Sequence, residues 1–423
     1  MKLQRSCAAF RMVERPKIIS ADRNGSRRRW HILPILTVTQ AGASLAALSF
    51  GPLAPFLQES FQITRAQVGL FSSSLYIGSI LVSIPAGRLA DRWGVRLLLL
   101  VGPGTMALLF FALSQTTSYL TACVLALFAG MGYGFINPAT TKAIVYWFSA
   151  KGRATAIGIK QSGVTLGAAI AAAVLPASAL ALTLSRSVAI AGAAVLLPAV
   201  LCFLLYRDFP QNPVSQKAKD RADGGLMQVL TNRNIILLSL ADCVWSSIQM
   251  SVSTYFVLYL KESLLFPVVL AGGYLAAAQM SAGIGRVFWG VVSDYLFQGR
   301  RKIVFAIIGA IATATTSGMI FLTKETPGWA VFAAAVLIGV SVLGRHGVLI
   351  AFISESAGKA SAGTAIGVSI TISYIGIILG PPLFGYIVDS TRSYAAAWLG
   401  FGIASAFATV LLFAIREKQD EAE

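Results

Sequence analysis

Apolar runs of about 20 residues recur along most of this chain, each separated from the next by a short polar cluster, and about 20 residues is what a helix needs to cross a bilayer core. In lipid a backbone has to satisfy its own hydrogen bonds. Runs this long and this apolar therefore become helices, because porin-type strands alternate polar and apolar positions over about ten residues. The runs fall at roughly 32–56, 66–90, 95–114, 118–145, 154–179, 185–206, 234–260, 267–292, 302–323, 328–353, 361–388 and 392–415, and predict an all-α integral membrane protein with twelve transmembrane helices. Of the 423 residues 12% are charged, against about 25% in a soluble domain, so water is not the main solvent.

The basic residues orient these helices. The two tails and the loops 2–3, 4–5, 6–7, 8–9 and 10–11 hold about 25 lysines and arginines, whereas the opposite loops hold only Arg65, Arg186, Lys261, Lys324 and Arg392. Both termini are expected on the cytoplasmic side of the cell's inner membrane. The net charge of +17 is thereby explained without nucleic acid, since the basic residues sit between spans and form no face interleaved with aromatics. The first apolar run is too long for a signal-peptide core and is expected to be retained. Residues 1–31 read as a basic tail, 32–206 as one six-helix bundle, 207–233 as a polar linker, 234–415 as a second bundle and 416–423 as a short tail.

The two halves echo each other. Gly87-Arg-Leu-Ala-Asp91-Arg92-Trp-Gly94-Val-Arg96, after helix 2, has a degenerate counterpart in Gly290-Val-Val-Ser-Asp294 and the basic run Arg300, Arg301, Lys302, after helix 8, with the aspartates offset by 203 (294 − 91). Thr155-Ala-Ile-Gly158, opening helix 5, matches Thr364-Ala-Ile-Gly367, opening helix 11, at an offset of 209 (367 − 158). Internal repeats of this kind build many transporter folds.

The 87–96 segment resembles the loop 2–3 signature of the major facilitator superfamily, and the resemblance covers about residues 32 to 415. It implies two pseudo-symmetric six-helix bundles around a central path. It also implies a latch in which Asp91 meets the start of helix 11 and Asp294 the start of helix 5 when the path faces outward. Gly87 and Gly94 would allow close approach, and Arg92 and Arg96 would pair with carboxylates at the inner rim. Gly290, Arg300 and Arg301 belong to the second copy, with Glu355 as a carboxylate partner for its basic cluster. As ordinary loop charges, all of these would also satisfy the positive-inside rule.

Ionisable residues inside spans cost about 2.5–3.5 kcal/mol each to insert and so point to function. Lys160, about six residues into the predicted helix 5 and followed by Gln161, lies roughly 9 Å deep at 1.5 Å per residue. Arg345 and His346 interrupt helix 10 where helix 4 carries Asn137 before Pro138. Asp242 is the one carboxylate well inside a span, and Trp245 and Gln249 share its helical face. Since the resemblance places helices 4, 5, 7, 8, 10 and 11 along the path, Lys160 and Arg345, with Gln161, Asn137, Trp245 and Gln249, are expected to bind a substrate, and Asp242 and His346 to carry a proton. The alternative is that Asp242 is a permanent partner for one of the cations. Arg286 is expected to be structural, near the inner end of helix 8.

The expected function is secondary active transport of a small organic anion coupled to protons by alternating access. An exporter of drugs or other hydrophobic compounds is the rival, but helix 5 lacks the Gly-Pro pair usual in that branch of the family. Gly158-Ile-Lys-Gln-Ser-Gly163 looks instead like bacterial permeases that take up small metabolites. An enzyme would need a convergent nucleophile, metal or acid–base set, and none is evident. With two histidines and four scattered cysteines (Cys7, Cys123, Cys202, Cys243), no metal or other cofactor is expected. The expected partners are the substrate, protons and the lipid bilayer, and the expected state is a monomer.

Overall fold

The computed structural model describes residues 23–148, 150–208 and 222–415, and every regular element among them is helical. Residues 1–22 of the N-terminal tail, the C-terminal tail and the linker charges Lys217, Lys219, Asp220 and Arg221 lie outside the described residues, and α1 reaches back into the predicted tail as far as Arg23. The first half contains α1 (Arg23–Ala47), α2 (Ala54–Phe61), α3 (Arg65–Trp93), α4 (Val95–Leu113), α5 (Tyr119–Trp147), α6 (Ala150–Ala181) and α7 (Leu184–Leu205). After α8 (Ala222–Thr231) in the linker, the second half contains α9 (Arg233–Glu262), α10 (Val268–Val291), α11 (Arg301–Gly318), α12 (Gly328–Ile338), α13 (His346–Thr391) and α14 (Tyr394–Phe413).

Eleven stretches are long and apolar enough to cross a membrane, and Ile32–Ala47 in α1 is a shorter apolar twelfth. The apolar run at 32–56 divides because Gly51 and Pro52 interrupt it, and Pro55 then sits in the first turn of α2, where its missing N–H costs nothing. At Thr64 and Gln67 a reciprocal capping box starts α3. Within α13 Gly358, at φ 74° and ψ 165°, is not helical and kinks the chain, so that Gly328–Gly358 and Ser361–Thr391 are two separate crossings. Only glycine takes that backbone conformation without strain.

Twelve crossings return the chain to the end where it started, here called the terminal end. Lys302 Nζ, at the start of α11, donates to the carbonyls of Phe413 and Ile415 there. Within the first half α1 packs on α6 and α7, and α5 on α3 and α4; within the second α9 packs on α13, and α11 on α14. Two seams join the halves, α3 against α13 and α6 against α10. Each seam thus pairs the second crossing of one half with the fifth of the other, which is the symmetry that the internal repeat predicts.

Candidate functional site

The tenth crossing places the most heavily bonded buried charge. There α12 gives way to a π-helical stretch, Gly339–Leu343, before α13 restarts at His346. Gly339 lies against the Ala278 carbonyl and Ser281 of α10, where a side chain would collide, so the backbones touch and the widened turn is accommodated. Arg345, at the restart, is buried. Its Nε donates to Asp242 Oδ1 at 2.9 Å, and its Nη2 reaches the same oxygen at 2.8 Å and Ser246 Oγ at 2.7 Å. Nη1 donates to Gln249 Oε1 at 2.8 Å and to the Val342 carbonyl. Of the five N–H groups of a guanidinium four are hydrogen-bonded here, and Nη2 also lies within ion-pair distance of Asp242. Asp242 Oδ2 in turn accepts from the Ser373 hydroxyl. The structure therefore brings Asp242, Gln249 and Arg345 together as a closed ion pair, and a substrate contact by Arg345 requires it to leave Asp242.

Lys160 is placed differently. With α6 starting at Ala150, it lies ten residues in (160 − 150), about 15 Å at 1.5 Å per residue and deeper than the sequence suggested. Its side chain is 1% exposed, and Nζ donates to Asn137 Oδ1 at 2.6 Å and Thr141 Oγ1 at 3.3 Å. Both partners are neutral; among the described residues no carboxylate lies within 4.0 Å. One of the three ammonium N–H groups is unused, and Asn137 beside it is exposed. Trp245 stands apart from this group: it is buried against α11 and α14, donates through Nε1 to Ser405 at 3.1 Å and meets Phe305 edge-on at 5.1 Å. The α9 face it shares with Asp242 on a helical wheel divides between the interior and the packing against α11 and α14.

Arg286, five residues before the end of α10 (291 − 286), lies on the α6–α10 seam, with Nη1 3.5 Å from the Gln161 carbonyl. Its Nε, the Gln161 Oε1 and the His346 Nδ1 are all buried without a partner. Sequence reasoning also missed three tyrosines: Tyr76 of α3 is 6.2 Å from Tyr133 of α5 and 6.0 Å from Tyr374 of α13, ring to ring. They pack across the two halves, a placement with no periodic signal in the chain.

At the end away from the termini the halves are locked. Arg65 donates to Glu262 at 2.8 Å and to Asp389 at 3.3 Å, and Tyr394 bonds Glu262 at 2.7 Å. Asp389 also accepts from the Ala66 N–H at 2.8 Å, an anion at the positive start of α3. Tyr255 donates to the Arg65 carbonyl at 2.6 Å, Ser72 bonds Thr254 at 3.2 Å, and Ser73 donates to the Ile378 carbonyl at 2.5 Å. Gly385 is needed for this contact, since an added Cβ would lie 2.5 Å from the Tyr255 hydroxyl and 2.6 Å from the Ala66 nitrogen. Of the hydrogen bonds described between the halves, all but Arg286 to Gln161 fall on Arg65–Ser73 of α3. Replacing Arg65 with alanine should loosen this end: in a cysteine-free background, a cysteine at Ser72 should react with an impermeant maleimide about tenfold faster, given the 1.5–3 kcal/mol typical of charged hydrogen bonds. An unchanged rate would mean that the network does not hold the end shut.

At the terminal end the loop signatures stay within their own halves. Arg301 joins Asp294 and Glu355, the latter at 3.1 Å, all in the second half. Asp294 thus does not meet the start of α6, the contact expected for a path closed at this end. Arg92 and Arg300 are exposed, and at Gly290 no atom lies within 4 Å of an added Cβ. Arg96 meets a carbonyl and a ring rather than the expected carboxylate, donating to Phe203 O at 2.7 Å with its guanidinium 4.4 Å from the ring centre. The nearby carboxylate, Asp208, is occupied with the N–H groups of Val95 (3.0 Å) and Arg96 (3.1 Å), where Gly94 at φ 81° turns the chain into α4. The surroundings of Gly87 and the side chain of Asp91 lie outside those described.

The family profile described as Major Facilitator Superfamily matches residues 36–381. A hexuronate transporter of Bacillus subtilis is 25% identical over 373 residues, 84% of this chain and 87% of that protein. A cis,cis-muconate transport protein of Acinetobacter baylyi is 24% identical over 402 residues, covering 92% and 94%. Among solved structures, a bacterial homolog of the human lysosomal transporter Spinster, inward-facing and occupied, superposes with a TM-score of 0.76 at 17% identity, over 92% of this chain and 96% of that one.

Proposed function

This chain belongs to the Major Facilitator Superfamily, and from that premise we propose that it carries a small organic anion across the inner membrane by alternating access, coupled to protons. It is a transporter and not an enzyme. The observation that carries the anion is Lys160, a buried ammonium with neutral partners only and one N–H to spare. A buried charge left uncompensated costs several kcal/mol, and an incoming anion supplies the compensation. The named substrates of two relatives, hexuronate and cis,cis-muconate, are organic acids, which supports the same chemistry.

In this reading the terminal end is cytoplasmic and the conformation faces inward, with Arg65, Glu262 and Asp389 closing the outer end. Asn137 and Gln161 flank the Lys160 subsite, and the tyrosines face the substrate's carbon skeleton. Asp242 takes up a proton when Arg345 turns toward the substrate, because a buried carboxylate stripped of its cation favours the neutral form. His346, beside this pair, is the second proton site. The test uses the reconstituted protein and a pH gradient, acid outside. The wild type should accumulate the anion against its gradient. Asp242→Asn should keep anion exchange but lose accumulation driven by the pH gradient, and accumulation as in the wild type would rule Asp242 out as the coupling site.

A further inference from the structure

The proposed anion site contains more positive charge than a single acidic group can neutralise. Lys160 of α6 and Arg286 of α10 come from opposite halves, and among the described residues neither has a carboxylate within 4.0 Å. Arg286 Nη1 is 3.5 Å from the carbonyl of Gln161, the residue next to Lys160 in the chain. Arg345 also acts on Arg286 as a nearby like charge, and its own compensation by Asp242 is complete. Around Arg286 three buried polar atoms have no partner, its own Nε, the Gln161 Oε1 and the His346 Nδ1. Buried polar groups are otherwise almost always bonded, so three orphans at one seam mark a place where a polar ligand group completes the set.

We infer that Arg286, with Gln161 and His346, forms a second anion subsite, and that the transported molecule is a dianion, one acidic group bound to Lys160 and the other to Arg286. The inference rests on the anion-carrier reading above and narrows its substrate class. Arginine suits the role because its planar fork binds a carboxylate or sulfonate through two parallel bonds and stays charged at any working pH. It also gives closure a physical cause. Lys160 on α6 and Arg286 on α10 stand on the two sides of a seam where Arg286 to Gln161 is the one described hydrogen bond between the halves. A dianion held by both is a bridge between the halves.

The test is equilibrium binding to purified full-length protein in a neutral detergent without anionic lipid, comparing diacids with monoacids of the same chain length, such as adipate with hexanoate. The wild type should bind the diacid at least about tenfold more tightly, the worth of one charged hydrogen-bonded contact. Arg286→Gln should lose that preference while still binding the monoacid, and Arg286→Lys should restore part of it, which a merely structural role would not produce. Equal affinities for the two acids in the wild type, both lost in Lys160→Met, would overturn the dianion while leaving the anion carrier intact. A diacid preference retained in Arg286→Gln would move the second subsite elsewhere. If neither acid binds, the anion reading itself falls. A preference that appears only when anionic phospholipid is added back would assign Arg286 to a lipid headgroup and overturn the inference.

Discussion

Replacing Arg345 with methionine should lower the unfolding free energy by about 3–5 kcal/mol, the usual cost of removing one member of a buried ion pair. The side chain is 1% exposed and its hydrogen bonds hold Asp242, Ser246, Gln249 and the Val342 carbonyl. Without it Asp242 stays in the interior with hydroxyl partners alone, and the π-helical turn at Gly339–Leu343 loses the side chain that ties it to α9. The double variant Asp242→Asn, Arg345→Met should recover most of that loss, because no unpaired charge remains. Thermal unfolding of the purified variants measures both effects. A single variant within about 1 kcal/mol of the wild type would show that the pair is not the buried strut described here.

Lys160→Met should behave in the opposite way. It removes a charge that no carboxylate balances, so the apparent melting temperature should match or exceed that of the wild type even though Asn137 loses its 2.6 Å donor. Anion binding should weaken by about 10- to 100-fold, the worth of a charged hydrogen bond of 1.5–3 kcal/mol. One buried cation sets stability and the other sets ligand affinity; the same assay on both variants separates them. If Lys160→Met is strongly destabilised, Lys160 belongs with Arg345 as a structural charge.

Much of this was legible in the sequence because bilayer physics leaves few options. Run length and charge placement predicted twelve helices, and the displaced copy of the loop signature predicted their two-fold arrangement. Lys160, Asp242 and Arg345 announced themselves by being charged where charge is costly. The pairing of those charges was not legible. Asp242 and Arg345 are 103 residues apart, and no helical period says which of two cations a carboxylate will meet. Arg65 was counted only as a charge on the sparsely charged side, and its partners Glu262 and Asp389 lie 197 and 324 residues away. A signal was present all the same: carboxylates at the ends of two spans on that side had no local reason to be there. Arg286 was read from its place near the end of its own helix. Depth along one helix does not reveal that a second helix, α6, lies against the side chain.

The loop signature teaches a related lesson. Asp294 was expected to meet the other half, yet it pairs with Arg301 in its own, and the locked end is the opposite one. A latch that works in only one conformation is readable as a motif, but the sequence does not say which conformation a structure will show.

The most direct test of the central claim is counterflow in liposomes carrying the purified protein and preloaded with an unlabelled organic diacid. Labelled diacid outside should enter transiently above its equilibrium level, saturate with concentration, and fail to do so with Lys160→Met. Flux that rises without saturation and ignores the internal load would contradict an alternating carrier, and counterflow unaltered in Lys160→Met would contradict the anion site.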